Sequence, residues 1–310
     1  MDSKIKVDQY INEIKRRMNL NVRDEIIKKD LLLTLILAEF EKFGLGKELI
    51  FKGGTLLSRN YLNYHRFSED LDFVFKDSMN IRDLPRNARE RKVKTFLDYF
   101  TPELKKVTNA LGLDFSTDRS NKKYCHMLSG RVVYTFKIYY SDTQFIKVEI
   151  NFIEKLTNKP EKVSIKSITD FFDSKNMLYE LGLSYQNFNV LSYPIEEITL
   201  EKYRAILTRN KLKERDLFDL FLIKAALEAN VEDIIDKIKS SALIKKNLIE
   251  LINEKLILLQ EGKFFQSEER IEELSIIEYN QKEFENFKQK IQPKLIEICE
   301  GFLSKESIQN

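Results

Sequence analysis

The chain has 310 residues, of which 43% are hydrophobic and 33% charged, a composition that excludes a disordered protein and fits a soluble globular fold. Its net charge of +3 means that any affinity for nucleic acid has to come from local patches of charge. Two cysteines and two histidines exclude a disulfide framework and a metal site rich in cysteine or histidine.

The first elements are two predicted helices, from about Ser3 to Met18 and from about Asp24 to Phe43. The charged start of the chain, MDSKIKVDQY, lacks the apolar region of a signal peptide. The longest apolar run, Leu31–Ala38, is too short to span a bilayer. We therefore expect a cytoplasmic protein that makes no membrane contact.

The stretch from Leu49 to Phe75, LIFKGGTLLSRNYLNYHRFSEDLDFVF, predicts a strand, a glycine turn, a helix and a second strand. Period-two alternation places Asp70 and Asp72 on one face of the second strand, opposite Leu71 and Phe73. Two neighbouring carboxylates repel each other and are costly to desolvate. A divalent cation removes that penalty, so the pattern indicates Mg²⁺ that in turn holds substrate phosphates.

Gly53 and Gly54 precede the carboxylates and would let backbone N–H groups approach a phosphate closely, with the Thr55 hydroxyl beside them. Taken alone, a glycine pair is more often a simple turn, and Asp-x-Asp is more often a solvated strand end. The ordered combination is much rarer than either part and favours a phosphate and metal site.

The motifs KGGT and RFSEDLDF resemble those of the AbiEii/AbiGii nucleotidyltransferases, the toxins of type IV toxin–antitoxin systems, to which the MenT toxins are related. The resemblance implies a polymerase-β-like nucleotidyltransferase fold. The signature of that superfamily is matched by Gly54-Thr55 and Asp70-Leu71-Asp72, with Thr55 in place of the commoner serine. The resemblance covers about the first two thirds of the chain and thins beyond Asp219.

A polar loop is expected over Asp77–Pro85, followed by a long helix from Arg86 to about Leu111. The first turns of this helix are strongly basic, which allows two interpretations: a solvated helix face or a ridge that contacts RNA phosphates. On the second interpretation the RNA would dock across the helix toward Asp70. The candidate RNA-binding residues are Arg86, Arg89, Arg91, Lys92 and Lys94.

Three further strands are predicted at Leu113–Thr117, Arg131–Tyr140 and Gln144–Phe152. In the last of these, Lys147, Glu149 and Asn151 alternate with apolar residues. If this strand neighbours the strand of Asp70 and Asp72, Glu149 becomes a third carboxylate, as a site for two metal ions requires. The alternative is an ordinary exposed strand glutamate.

Between Glu154 and Ser192 a helix is expected near Ile168–Glu180 and a strand near Phe188–Leu191, and from Pro194 onward the chain reads as almost wholly helical. Helices are predicted over Glu196–Asn210 and Lys213–Ala229. Beyond Val231, repeats of Ile and Leu with Glu and Lys predict a helical bundle that could receive a partner.

The stretch EKYRAILTRNKLKERDLFDL resembles the second signature of the same family. Its matching residues are Lys202, Arg209, Arg215, Asp216 and Asp219. The resemblance makes Lys202 a partner for the nucleotide triphosphate, and Asp216 and Asp219 groups that hold Lys202 and Arg209 or assist proton removal. Routine surface ion pairs on an amphipathic helix are the alternative.

The sequence therefore predicts an α+β protein: a polymerase-β-like nucleotidyltransferase domain over 1–195, with a mixed sheet flanked by helices, and a helical bundle over 196–310. The expected reaction transfers a nucleoside monophosphate from an NTP to an acceptor hydroxyl with Mg²⁺ or Mn²⁺, the acceptor being RNA and specifically the 3′ end of tRNA. A cognate antitoxin protein is an expected partner. A protein or small-molecule acceptor, or a binding module without catalysis, are the alternatives.

Each candidate residue has an expected role. The metal ligands and catalytic carboxylates are Asp70, Asp72 and Glu149, and the further catalytic residues are Lys202, Asp216 and Asp219. The nucleotide-binding residues are Lys52, Gly53, Gly54, Thr55, Arg66, Ser68, Lys202 and Arg209.

Overall fold

A computed structural model of the chain describes residues 3–20, 22–128, 130–171, 177–180, 188–240, 247–266 and 271–307. The chain divides into two units: Met1–Glu154 with Pro160–Tyr193, and Lys155–Lys159 with Pro194–Asn310. No helix among the described residues is long and apolar enough to cross a membrane.

The described part of the first unit contains a seven-stranded mixed sheet. Its strands are β1 Leu49–Lys52, β2 Asp70–Phe75, β3 Cys125–Leu128, β4 Val133–Tyr139, β5 Phe145–Asn151, β6 Glu161–Ser164 and β7 Asn189–Ser192. They lie in the order β3-β4-β5-β2-β1-β7-β6. β2 runs parallel to β5 and β1 parallel to β7, while the other neighbours are antiparallel. The predicted mixed sheet flanked by helices is confirmed.

Helices of the first unit precede, interrupt and follow these strands. They are α1 Ser3–Met18, α2 Asp24–Lys42, α3 Gly53–Leu56, α4 Ser78–Arg82, α5 Arg86–Ala110 and α6 Met177–Glu180. α3 is continued by one wider turn over Leu57–Tyr61.

Aromatic side chains fix which face of the sheet carries α2 and α5. Phe40 of α2 stacks on Phe73 at 5.8 Å between ring centroids, and Phe96 of α5 contacts Phe75 at 4.8 Å. Phe100 of α5 contacts Phe136 of β4 at 5.4 Å. Burial of each such ring contributes about 1.5–3 kcal/mol, so these contacts hold both helices on the apolar face. The opposite face of β2 carries Asp70 and Asp72.

The second unit is helical in its described part. Its helices are α7 Ile195–Thr208, α8 Glu214–Leu222, α9 Val231–Ser240, α10 Leu248–Gln260 and α11 Gln281–Ser307. Phe218 of α8 is fully buried, and its ring centroid lies 4.8 Å from that of Tyr279 and 5.6 Å from that of Phe284.

A buried ion pair attaches the segment Lys155–Lys159 to the second unit. The Glu197 carboxylate accepts hydrogen bonds from the backbone N–H groups of Thr157, at 3.1 Å, and Asn158, at 2.8 Å. Lys237 lies 2.6 Å from the same carboxylate and also donates to the Lys155 carbonyl. Neither side chain of this pair is exposed, so the segment is anchored by fully desolvated charges.

Two predicted elements of the first unit, between β2 and β3, differ from the structure. Leu113–Thr117 is not a strand: Asp114 forms a single bridge to Tyr139, because β3 takes the adjacent edge of β4. The expected polar loop Asp77–Pro85 contains α4, whose Ile81 is fully buried.

The helix predicted over Lys213–Ala229 ends at Leu222. Ile223 and Ala226 are buried in the turn that follows, and the Tyr203 hydroxyl donates to the Ala226 carbonyl at 2.8 Å. The predicted helix Ile168–Glu180 is a tight turn at Ile168–Phe171 and helical at Met177–Glu180, and the residues between them lie outside the described ranges.

Candidate active site

Three carboxylates share one face of the sheet because β2 and β5 run parallel in a fixed register. Asp72 pairs directly with Glu149, and Asp70 pairs with Lys147. The Thr135 hydroxyl on β4 donates to Glu149 Oε2 at 3.4 Å, which places Thr135 on the same face. The structure therefore brings together the three residues that were predicted as metal ligands.

Gly53 touches the Asp72 carboxylate so closely that no side chain fits there. A Cβ atom on Gly53 would lie 2.4 Å from Asp72 Oδ2, and the residue has a φ of +85°. Glycine adopts this conformation without the steric cost that other residues incur. Both features explain why the turn between β1 and α3 starts with glycine.

Gly54, the second glycine, packs against the residues that lead into β2. A Cβ atom here would lie 2.7 Å from Arg66 Nη2 and 3.2 Å from Ser68 Oγ. Arg66 is buried and donates from Nη1 to the Phe67 carbonyl at 2.8 Å. Arg66 and Ser68 thus form the wall against which the glycine turn rests.

Thr55 contacts the protein rather than solvent. Its side chain is buried, and its hydroxyl donates to the Asp70 carbonyl at 2.5 Å. This hydrogen bond ties the start of α3 to the start of β2. To contact a phosphate as predicted, the Thr55 hydroxyl would have to break this hydrogen bond to the Asp70 carbonyl.

Two lysines balance the charge of the carboxylates. Lys147 Nζ lies 3.1 Å from Asp70 Oδ2, with about half of its side chain exposed. Lys52 is buried and lies 3.4 Å from Glu154 Oε2. Lys147 received no role from the sequence, although its alternation with Glu149 already placed it on the carboxylate face.

Burial, together with the negative charges of Glu149 and Asp70, raises the pKa of the Asp72 carboxyl to about 7. Lys52 and Lys147 act in the opposite direction. A carboxyl with such a pKa carries an electrostatic cost when ionised, and a bound cation relieves that cost.

The carboxylates fit a divalent cation by donor type and by their shared face, because hard cations prefer oxygen ligands. They do not form a closed cage: no three His, Cys, Asp or Glu side chains in the described ranges converge closely enough to hold a metal ion. Asp70 is engaged by Lys147, so closure on a cation requires this ion pair to open.

The second predicted signature forms a buried charge cluster within the second unit. Lys202 Nζ lies 2.9 Å from Asp216 Oδ1 and 2.5 Å from Asp219 Oδ2, and all three side chains are largely buried. Arg209 also contacts Asp216. Although burial alone would raise it, the pKa of Asp216 is lowered by Lys202 and Arg209. Asp216 is therefore a poor proton acceptor and a good anchor for Lys202.

Comparison with known proteins identifies the family. The sequence model of the family "Nucleotidyl transferase AbiEii toxin, Type IV TA system" matches residues 35–303, which is most of the chain. The chain belongs to the AbiEii nucleotidyltransferase toxins. Membership makes it an enzyme that uses an NTP and the toxin partner of an antitoxin. The match extends well beyond Asp219, where the resemblance was expected to thin.

A solved structure agrees with the AbiEii assignment at the level of the fold. MenT4, a nucleotidyltransferase toxin from Mycobacterium tuberculosis H37Rv, superposes with a TM-score of 0.52 and 14% sequence identity. The alignment covers 94% of this chain and 98% of MenT4. No curated protein sequence matches this chain.

The basic residues of α5 lie on a helix that covers the face of the sheet opposite the AbiEii carboxylates. Phe96 and Phe100 fix this placement, since Phe75 and Phe136 alternate with residues of the carboxylate face. RNA along α5 would therefore reach Asp70 only around an edge of the sheet. This corrects the expected direct path from α5 toward Asp70.

Three of the predicted RNA-binding residues make contacts within the protein. Arg86 pairs with Glu90 at 3.0 Å, and Lys92 lies 3.4 Å from Asp77. Arg89 donates to the carbonyls of Arg82 and Leu84, at 3.2 and 3.1 Å, and so closes the end of α4. Arg91 and Lys94 are exposed and form no ion pair with any residue that the structure describes.

Proposed function

We propose that this toxin transfers a nucleoside monophosphate from an NTP to an acceptor hydroxyl, aided by Mg²⁺ or Mn²⁺, and releases pyrophosphate. The observation that carries the proposal is the register of β2 and β5, which places Asp72 directly opposite Glu149. Gly53 lies against the Asp72 carboxylate at the same place. Family membership supplies the reaction class, and this geometry supports the residues that perform it.

Asp70, Asp72 and Glu149 would hold the cation, and Asp70 would exchange its contact with Lys147 for it. When bound, a divalent cation stabilises the charge that develops on the transferring phosphoryl group. Released from Asp70, the Lys147 ammonium becomes available to a phosphate oxygen on the same face.

The nucleotide triphosphate would lie against the backbone of Gly53 and Gly54. The acceptor oxygen forms a bond to the α-phosphorus, and the bond between that phosphorus and the pyrophosphate oxygen breaks. The acceptor proton passes to a carboxylate, for which Glu149 is our candidate. Lys202 and Arg209 are kept as phosphate-binding candidates, while Asp216 and Asp219 position Lys202.

The acceptor is proposed to be RNA, and specifically the 3′ end of tRNA. The support is the family together with the basic clusters Arg86–Lys94 and Lys202–Arg215. In the first cluster Arg91 and Lys94 are exposed and form no ion pair with any described residue, whereas in the second Lys202 and Arg209 are engaged by Asp216. Because phosphate contacts release counterions, binding to such clusters should weaken as salt rises.

One assay separates the proposal from its rivals: purified protein is incubated with Mg²⁺, total RNA and each of the four NTPs labelled at the α-phosphate. We expect label in RNA, concentrated in the tRNA band. Label in protein or in a small molecule would replace the RNA acceptor, and no label with any NTP would favour a binding module that lacks catalysis.

A further inference from the structure

A cavity lies in the first unit, between α5 and the strands β3 and β4. Its volume is about 670 Å³, within the range of about 300–1,000 Å³ that is typical of small-molecule sites. It is lined by residues of α5, of the loop before β3, of β3, of the turn before β4 and of β4, among them Arg91, Lys94, Arg119, Met127, Arg131 and Tyr134.

This cavity is separate from the candidate active site. Met127 pairs with Tyr134, and both alternate with residues of the carboxylate face, such as His126 and Thr135. The cavity therefore opens on the face that carries α5, whereas Asp72 and Glu149 lie on the other face of the same sheet.

The cavity wall carries four cationic side chains and one carboxylate. Arg91 and Lys94 form no ion pair with any described residue. Arg131 lies 3.8 Å from Glu90, which is also engaged by Arg86 at 3.0 Å. One glutamate shared between two arginines leaves the wall with an excess of positive charge.

Arg119 supplies an independent observation. Its Nη2 pairs with Asp98 at 2.5 Å, while its Nη1 is buried and has no hydrogen-bond partner among the described residues. A buried guanidinium N–H without a partner is costly, and an anion bound in the cavity that Arg119 lines would satisfy it once the guanidinium turns this group toward the cavity.

We propose that this cavity binds the terminal 5′-phosphate of a nucleotide, presented either by a free nucleotide or by the 5′ end of an RNA strand. Arginine and lysine bind the phosphate oxygens, and the exposed Met127 together with Tyr134 gives the attached base or sugar an apolar surface. The ligand binds without reaction, so the site selects or positions a nucleotide outside the catalytic centre.

The test compares probes that differ by one phosphate, with EDTA present so that no divalent cation is available to the carboxylate face. Adenosine 5′-monophosphate is compared with adenosine by calorimetry. A short, fluorescently labelled single-stranded RNA with a 5′-phosphate is compared by anisotropy with the same RNA ending in a 5′-hydroxyl. A preference for AMP identifies a free nucleotide as the source, and a preference confined to RNA identifies the strand.

Substitutions test whether the preference for the phosphate-bearing probe arises in this cavity. Arg91→Gln with Lys94→Gln should reduce the affinity for the phosphate-bearing probe by about tenfold or more, since two charge-assisted bonds are lost. Met127→Glu, which adds a carboxylate to the wall at an exposed position, should do the same. Lys106→Gln with Lys122→Gln removes the same charge outside the cavity and should leave the preference intact, as should Asp72→Asn.

The proposal is overturned if neither probe pair shows a preference for phosphate. It is equally overturned if the preference survives both cavity variants, or if the Lys106 and Lys122 control abolishes it to the same degree.

Discussion

Gly53 is required both by the backbone conformation at this position and by its contact with the Asp72 carboxylate. Its φ of +85° strains any other residue, and an added methyl group would meet the Asp72 carboxylate at 2.4 Å. Gly53→Ala should therefore displace Asp72 and abolish nucleotide transfer, besides lowering the free energy of unfolding by about 1–2 kcal/mol. Activity assays and urea unfolding measure the two effects.

Gly112→Ala is the matched control for this substitution. Gly112 also has a positive φ, of +67°, but its Cβ would meet no atom within 4 Å. It should lose similar stability and keep its activity. Equal activity in the two alanine variants would show that the contact between Gly53 and Asp72 has no functional role.

The raised pKa of the Asp72 carboxyl predicts that the stability of the protein depends on pH. Its carboxyl pKa is raised from 3.8 to about 7 by burial and by Glu149 and Asp70, so between those pH values the folded protein binds more protons than the unfolded chain. The contribution of the Asp72 carboxyl to the free energy of unfolding is therefore present at low pH and is lost as the pH rises toward 7. Asp72→Asn should remove that slope and gain about 1–3 kcal/mol above pH 7.

Urea unfolding between pH 4 and 8 measures this slope, with Asp142→Asn, in an exposed turn, as the control. An unchanged slope in Asp72→Asn would mean that the site does not hold a carboxyl with a raised pKa.

Cation binding makes an independent prediction for the same carboxylates. A ligand that binds only the folded state raises the melting temperature by mass action, so Mg²⁺ or Mn²⁺ should stabilise the wild type. Asp72→Asn should show little of this effect, while Asp142→Asn should show all of it. Equal stabilisation of all three proteins would place the cation elsewhere.

At the scale of elements, Lys202 links α7 to α8 through Asp216 and Asp219. Lys202→Met removes the cation that Asp216 and Asp219 share, which leaves Arg209 as the cation at Asp216, and should cost about 3–5 kcal/mol of unfolding free energy. Lys202→Met combined with Asp216→Asn and Asp219→Asn should recover most of that stability. Urea unfolding decides the outcome, and a single variant as stable as the wild type would contradict the structure of the cluster.

Activity of the same two variants tests the proposed role of Lys202 toward the NTP. The stabilised triple variant should remain inactive if the ammonium contacts a phosphate. Recovery of transfer together with stability would make the cluster structural only.

The sequence predicted best the elements that carry strong periodicity. β2, β5 and α5 combine alternating or helical apolar patterns with clear ends, and these elements position Asp70, Asp72 and Glu149. Short elements at the edges escaped prediction because their residues face solvent and depend on tertiary contacts. β6 is mostly exposed; it pairs with β7, and the Tyr61 hydroxyl donates to Glu161 at 2.6 Å.

The contacts of individual side chains were also beyond the sequence. Nothing in the pattern indicated that Lys147 would pair with Asp70, or that Arg89 would close α4 rather than face solvent. Both outcomes depend on which strands and helices become neighbours, and local periodicity does not encode that.

At the scale of the whole molecule, family and fold agree over most of the chain. The AbiEii match spans residues 35–303, and MenT4 shares the fold at 14% identity. At such low identity the comparison with MenT4 supports the fold, whereas the chemistry has to be inferred from the residues of this chain. The carboxylates on β2 and β5 are where we place that chemistry.

The most direct test follows two labels on one NTP, at the α- and the γ-phosphate, in reactions with Mg²⁺ and RNA. Nucleotidyl transfer predicts that the α-label enters the acceptor while the γ-label leaves in pyrophosphate, and that Asp72→Asn does neither. Transfer of the γ-label to the acceptor, or transfer of the α-label by Asp72→Asn at the wild-type rate, would contradict the account.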